Sequence, residues 1–221
     1  KVGAFINIGE DHISDSEHPT MDDYLNSKAI IFNQCETACI CDDMEEEYLD
    51  RLKGIAALKC KKTVTFGTKS SADYYGYDVE ADVDSLHFTL ECEGEKHSID
   101  VSIGGKFNVS NALGAIAITR SLGIPMENIK EGLANVKVPG RMEVFQLPHK
   151  DVKVVIDYAH NDISCKVLFD TIKEAFPNRK ILYMFGSVAG RSYNRRPVLG
   201  DFANRLASKV VLTEDVGSLE E

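Results

Sequence analysis

From Val152 onward the chain reads strand, helix, strand, loop, helix, strand, closing on an apolar run over 209–213. Strands separated by helices return to the same end of a sheet, so they pair parallel and their crossovers are right-handed. The βαβαβ order therefore predicts an α/β unit with a parallel sheet. The same alternation opens the chain. An apolar strand over 2–8 leads into a polar loop, and Thr20-Met21-Asp22-Asp23 starts a helix that runs to about 34. A strand over 37–41, an amphipathic helix over 43–58 and a strand over 63–66 follow.

Alternating segments over 86–90 and 97–103 flank Glu93-Gly94-Glu95 and predict an antiparallel hairpin. Beyond it Asn108 or Ser110 caps a helix with Val109, Ala112, Leu113, Ile116 and Ala117 on one face, closed by Gly123, and Pro125 opens the next helix. Val138-Pro139-Gly140 then breaks the pattern. The boundary falls near 141–144, giving one domain over 1–141 and a second over 142–221.

A chain of 221 residues can bury a real core. Its net charge of −10 argues against a nucleic-acid-binding surface, since the only short basic cluster runs over 59–62. No apolar run reaches membrane-spanning length and the start is not signal-like, so no membrane partner is expected. The six cysteines suit free thiols in a reducing cytoplasm. Cys35, Cys39 and Cys41 lack the paired spacing of a structural zinc site and read mainly as buried small hydrophobes. The chain starts in a strand and stops just after one, which is expected of a piece cut from a larger protein.

Two segments carry candidate chemistry. Asp157-Tyr158-Ala159-His160-Asn161 lies between a buried strand and a helix, where open α/β sheets place ligand contacts and a helix N-terminus favours anions. The alternative is that the Asp and the Asn cap the helix while His160 is solvated. Lys28 lies four residues after Tyr24 and four before Phe32, on the apolar face of its helix, where an ammonium is costly to bury. On the residues alone, its stem packs and its amine snorkels to water.

Four blocks in order identify a family: Asn7-Ile8-Gly9-Glu10-Asp11-His12 with Met21-Asp22-Asp23-Tyr24 and Lys28; Gly105-Lys106-Phe107-Asn108-Val109-Ser110-Asn111; Pro139-Gly140-Arg141-Met142-Glu143 with Asp157-Tyr158-Ala159-His160-Asn161; and Phe185-Gly186 through Arg191 to Arg196-Pro197. Over nearly its whole length the chain resembles the Mur ligases, ATP-dependent amino-acid ligases of peptidoglycan precursor synthesis. The resemblance implies an α/β fold comprising the second half of a Mur ligase central ATP-binding domain and a truncated Rossmann-like C-terminal domain with a parallel sheet. It implies ATP and Mg²⁺ as cofactors, with a UDP-N-acetylmuramoyl peptide and an amino acid as substrates. In the implied reaction a terminal carboxylate is phosphorylated at the expense of ATP and an amine then displaces phosphate.

By the same resemblance His12 and a carbamylated Lys28 hold Mg²⁺, and Asn108 and Asn111 contact adenine. Arg141 reaches the terminal phosphates from the domain junction and Asp157 accepts from the ribose, with His160 and Asn161 lining the crevice. Arg191 and Asp215 meet the incoming amino acid. The family usually continues the Asp-Tyr-Ala-His-Asn motif with Pro-Asp, where Asp162-Ile163 stands here. Its phosphate-binding loop precedes the first residue of this chain, and Gly67-Thr68-Lys69-Ser70 does not replace it. Members that add meso-diaminopimelate carry Asp-Asn-Pro-Arg where Asp215-Val216-Gly217-Ser218 stands, so L-lysine is the expected amino acid. A ligase of folate or polyamino acids and a non-catalytic nucleotide-binding protein are the alternatives.

Overall fold

The computed structural model describes residues 1–9, 13, 18–187 and 195–214, and the chain separates into two compact units, Lys1–Lys137 and Val138–Glu221. Among the described residues no helix is long and apolar enough to cross a membrane.

The first unit is built on a six-stranded sheet of order β1 (Val2–Phe5), β2 (Thr37–Cys41), β3 (Lys62–Gly67), β4 (Tyr74–Ala81), β5 (Leu86–Cys92) and β6 (Glu95–Val101). β1 to β4 pair parallel, and β4, β5 and β6 pair antiparallel. β2 is apolar on both faces, as a central parallel strand must be. Ala38 and Ile40 enter one core with Leu25, Phe32, Leu49 and Leu52, while Cys39 and Cys41 enter the other with Phe66, Phe88, Leu113 and Ile116. These cysteines therefore act as core residues.

Helix α1 (Met21–Ala29) begins at Thr20, whose hydroxyl accepts from the Asp23 amide at 3.1 Å. The expected single helix to 34 instead tightens into a 3₁₀ segment over Ile30–Gln34, a common ending for an α-helix, which seats Phe32 fully in the core. Helix α2 (Glu46–Lys59) buries Leu49, Leu52 and Ala56. Helix α3 (Asn108–Ser121) buries the apolar face read from the sequence, and α4 (Met126–Ala134) follows Pro125. At the end of α3 Gly123 has φ +83 and donates to Arg120 O at 2.9 Å, while Ile124 N donates to Thr119 O at 3.0 Å. This is the glycine stop expected there. The expected side-chain cap is absent, because Asn108 is already helical and Phe107 stands at the N-cap without a capping bond.

β4 was not foreseen. Its inward positions include Gly76, where a Cβ would meet Leu113 Cδ1 at 2.9 Å, and its register shifts between Tyr77 and Glu80 beside Asp78 at φ 51. Close helix packing and a bulge both erase the apolar alternation that marks a strand.

In the second unit β7 (Glu143–Gln146) pairs antiparallel with β8 (Lys153–Ile156). Helix α5 (Asp162–Ala175), β9 (Leu182–Phe185), α6 (Arg195–Leu206) and β10 (Lys209–Leu212) follow, with β9 and β10 parallel. β7 is an addition to the sequence reading. Cys165 and Phe169 of α5 pack with Leu199 and Phe202 of α6, and the Phe169 ring meets Tyr183 edge-on at 5.0 Å.

Candidate functional site

In the second unit the site is built at the carboxyl end of β8. Asp157 is the first residue past the strand, and its carboxylate accepts two backbone amides at 2.8 Å each, Met142 N through Oδ2 and Ala159 N through Oδ1. The Met142 bond ties the strand end to the Val138–Glu143 turn. That turn needs tying, since Met142 is buried with φ 45, a left-handed conformation unfavourable to a side chain. Glu143 adds a second staple by accepting Gly140 N at 2.9 Å, and Arg141 N donates to Val138 O at 3.1 Å. A carboxylate offers about four lone-pair sites, so this clamp leaves Asp157 able to accept from a hydroxyl as well.

Between the staples the Arg141 side chain is exposed, its guanidinium carbon 4.9 Å from the centroid of the Tyr158 ring. Stacking uses the face of the guanidinium and leaves its in-plane N–H donors for an anion. His160 packs its ring 4.8 Å from Tyr158 and sets Nδ1 2.8 Å from the Tyr158 carbonyl. Asn161 is the N-cap of α5, accepting Ser164 N at 3.0 Å while Ser164 Oγ accepts the Asn161 amide at 3.2 Å. Its position at a helix start is thus at least partly a folding requirement.

In the first unit Lys28 is exposed, contrary to its expected placement on the apolar face. Leu25 and Ala29 point inward, and Lys28 lies to one side of them with its ammonium 5.2 Å from the Tyr24 ring centroid. This is the snorkelling arrangement, which leaves the amine open to chemistry. His18 and Asp23 join the same surface, with Nδ1 2.7 Å from Oδ2 and the His18 ring 5.1 Å from Tyr24. His18 carries no motif by itself, and sequence reasoning passed it over. The predicted residues His12, Arg191 and Asp215 lie outside the described residues.

Asn108 and Asn111 occupy the first turn of α3 and touch each other: Asn111 Nδ2 donates to Asn108 Oδ1 at 2.8 Å, and Asn108 Nδ2 donates to Gly104 O at 2.7 Å. The two amides stand together at the helix start, as placed from the sequence, and are held by side-chain bonds and not by capping.

A second group missed from sequence lies at the carboxyl ends of β2 and β3. Asp43 Oδ1 accepts from Thr68 N and Thr68 Oγ1 at 2.8 Å each, and its Oδ2 accepts from Ser110 Oγ at 3.3 Å. Asp42 is 2% exposed, and its Oδ1 has no hydrogen-bond partner among the described residues. Burial, then the neighbouring Asp43 charge, push the Asp42 carboxyl above its usual range. Adjacent acids directly after a buried strand were the available signal.

Comparison with protein-family models matches residues 1–119 to the Mur ligase middle domain and residues 140–220 to the Mur ligase glutamate ligase domain. The chain belongs to the Mur ligase family. Among curated Mur ligases, it is 32% identical over 225 residues to the UDP-N-acetylmuramoyl-L-alanyl-D-glutamate–L-lysine ligase of Enterococcus faecalis, covering 100% of this chain and 44% of that protein. It is 30% identical over 218 residues to the corresponding 2,6-diaminopimelate ligase of Caldanaerobacter subterraneus, covering 97% and 43%. The chain thus spans less than half the length of these Mur ligases, and the two identities do not separate lysine from diaminopimelate. Among solved structures MurF from Acinetobacter baumannii superposes with a TM-score of 0.77 at 20% identity, covering 96% of this chain and 46% of that one. Folylpolyglutamate synthase from Thermotoga maritima does so with 0.74 at 18%, covering 96% and 47%. At these identities the likeness is one of fold. The Mur ligase fold expected from the sequence is present, with a mostly parallel sheet in the first unit. In the second, among the described residues, only β9 and β10 pair parallel, while β8 pairs antiparallel with β7 and not with β9 as its place in the strand–helix alternation predicted.

Proposed function

We propose that the full-length protein containing this chain is an ATP-dependent ligase that adds an amino acid to a UDP-N-acetylmuramoyl peptide in the cytoplasm, for peptidoglycan precursor synthesis. The observation that carries this reading is the exposed Arg141 guanidinium, held on a turn stapled by Asp157 and Glu143 within a Mur ligase glutamate ligase domain. A planar, permanently charged donor on a rigid turn suits the terminal phosphates of a nucleotide. Asp157 would accept from the ribose, with His160 and Asn161 beside it, and the amides of Asn108 and Asn111 would read the adenine edge.

For Mg²⁺ the donor set is conditional. Among the described residues no three His, Cys, Asp or Glu side chains converge as a metal site. An ammonium at Lys28 would repel the ion, so the residue fits only as a carbamate, which with His12 would supply oxygen and nitrogen ligands. ATP supplies the phosphoryl group that turns the peptide carboxylate into an acyl phosphate, and Mg²⁺ offsets the charge on it. The residues of this chain orient the reactants and neutralise charge, and none is asked to form a covalent bond.

Arg191 and Asp215 would contact the incoming amino acid. Val216 and Ser218 stand where a diaminopimelate-adding relative would carry Asn and Arg, so a distal carboxylate would be left unpaired. That costs roughly 1–3 kcal/mol, about five- to a hundredfold in selectivity. L-Lysine is therefore the proposed amino acid. The test is amide formation by the full-length protein with L-lysine and meso-diaminopimelate in competition.

A further inference from the structure

The geometry points to Tyr158 as a positioning residue that holds the Arg141 guanidinium ready for the nucleotide phosphates. The inference rests on the proposed role of Arg141. Three observations converge. The backbone on both sides of Arg141 is fixed by carboxylates, Glu143 on Gly140 N and Asp157 on Met142 N, so the point from which the side chain departs is set. A long, exposed arginine on a fixed backbone still samples many rotamers, and freezing them on binding costs affinity. The Tyr158 ring at 4.9 Å removes much of that freedom beforehand.

The ring is itself restrained. Tyr158 is 62% exposed, so core packing does not explain it, yet His160 lies against it at 4.8 Å with an interplanar angle of 58° and is tied to the Tyr158 carbonyl. The chain of restraint runs from the His160 ring to the Tyr158 ring to the guanidinium. Tyr158 needs no contact with the nucleotide to act this way. Among the described residues its hydroxyl makes no hydrogen bond, so the ring alone should suffice.

The experiment uses the full-length protein and steady-state kinetics with ATP varied, on wild type, Tyr158→Phe, Tyr158→Leu, Arg141→Ala and the Tyr158→Leu/Arg141→Ala double variant. A stacked cation on an exposed ring predicts that Tyr158→Leu lowers kcat/KM for ATP about two- to fivefold, while Tyr158→Phe stays close to wild type. The KM for the amino acid should not move in either. In the Arg141→Ala background, Tyr158→Leu should cause no further loss, because the group it positions is gone. Wild-type kinetics for Tyr158→Leu, or an equal loss with and without Arg141, would overturn the inference. If instead Arg141→Ala itself matches wild type, the proposed role of Arg141 fails, and the positioning role falls with it. Tyr158 is on the surface, so the leucine variant should fold, and its melting curve checks that.

Discussion

Replacing Asp157 with Ala should loosen the turn that presents Arg141 before it unfolds anything else. The wild-type carboxylate accepts Met142 N and Ala159 N at 2.8 Å each. A hydrogen bond to a charged group contributes about 1.5–3 kcal/mol, and partial exposure at this strand end lets water recover some of it. The Met142 bond is the one water replaces least well, since Met142 is 3% exposed and its φ of 45 leaves the turn unfavourable once untied. About 2 kcal/mol at that amide is a reasonable figure, equivalent to roughly 30-fold in its protection against hydrogen exchange. Amide exchange on the full-length protein, read at Met142 and Ala159, measures this directly. Asp157→Asn keeps one acceptor and should fall between wild type and Ala. If both amides exchange at wild-type rates in Asp157→Ala, the carboxylate does not hold the turn and the geometric basis for the Arg141 site is wrong.

Two further outcomes follow from the first unit. Because burial raises the folded-state pKa of Asp42, protonation favours folding. Its contribution is complete below the ordinary carboxylate pKa and is lost as pH rises through the elevated folded value. Asp42→Asn should therefore melt higher than wild type at pH 7 and lose that advantage near pH 3; equal melting-temperature differences at both pH values would contradict the assignment. At Lys28, which is exposed over Tyr24, Ala should abolish most ligation activity in the full-length protein, and millimolar short carboxylic acids should restore part of it by filling the carbamate position. Full activity in Lys28→Ala without additive would remove the carbamate from the account.

Where local chemistry decides structure, the sequence was readable. Thr20 starts α1 and Gly123 stops α3, each through interactions within a few residues, and the apolar run over Thr37–Cys41 is legible as a strand. Readings failed where a distant partner decides. β4 is a strand because it pairs with β3 and β5, and a glycine packed under Leu113 followed by a bulge gives no periodic signal. Lys28 was assigned to the wrong face because Tyr24 and Phe32 bracket it in sequence, whereas Leu25 and Ala29 set the buried direction. The site shows the same division. Asp157 was recognised from its place after a strand, but its hold on Met142 spans fifteen positions and exists only in the folded chain. The stack of Arg141 on Tyr158 is likewise a tertiary contact without a motif, and the pairing of His18 with Asp23, though only five positions apart, carries no motif either.

The most direct test of the central claim is a ligation assay with the full-length protein, ATP, Mg²⁺ and UDP-N-acetylmuramoyl-L-alanyl-D-glutamate, with L-lysine and meso-diaminopimelate supplied together. The account predicts ATP-dependent formation of the tripeptide, one phosphate released per amide bond, and a kcat/KM ratio favouring lysine by about fivefold or more. Tripeptide made mainly with meso-diaminopimelate would contradict the specificity argued from Val216 and Ser218. No amide product with either amino acid would contradict the ligase itself.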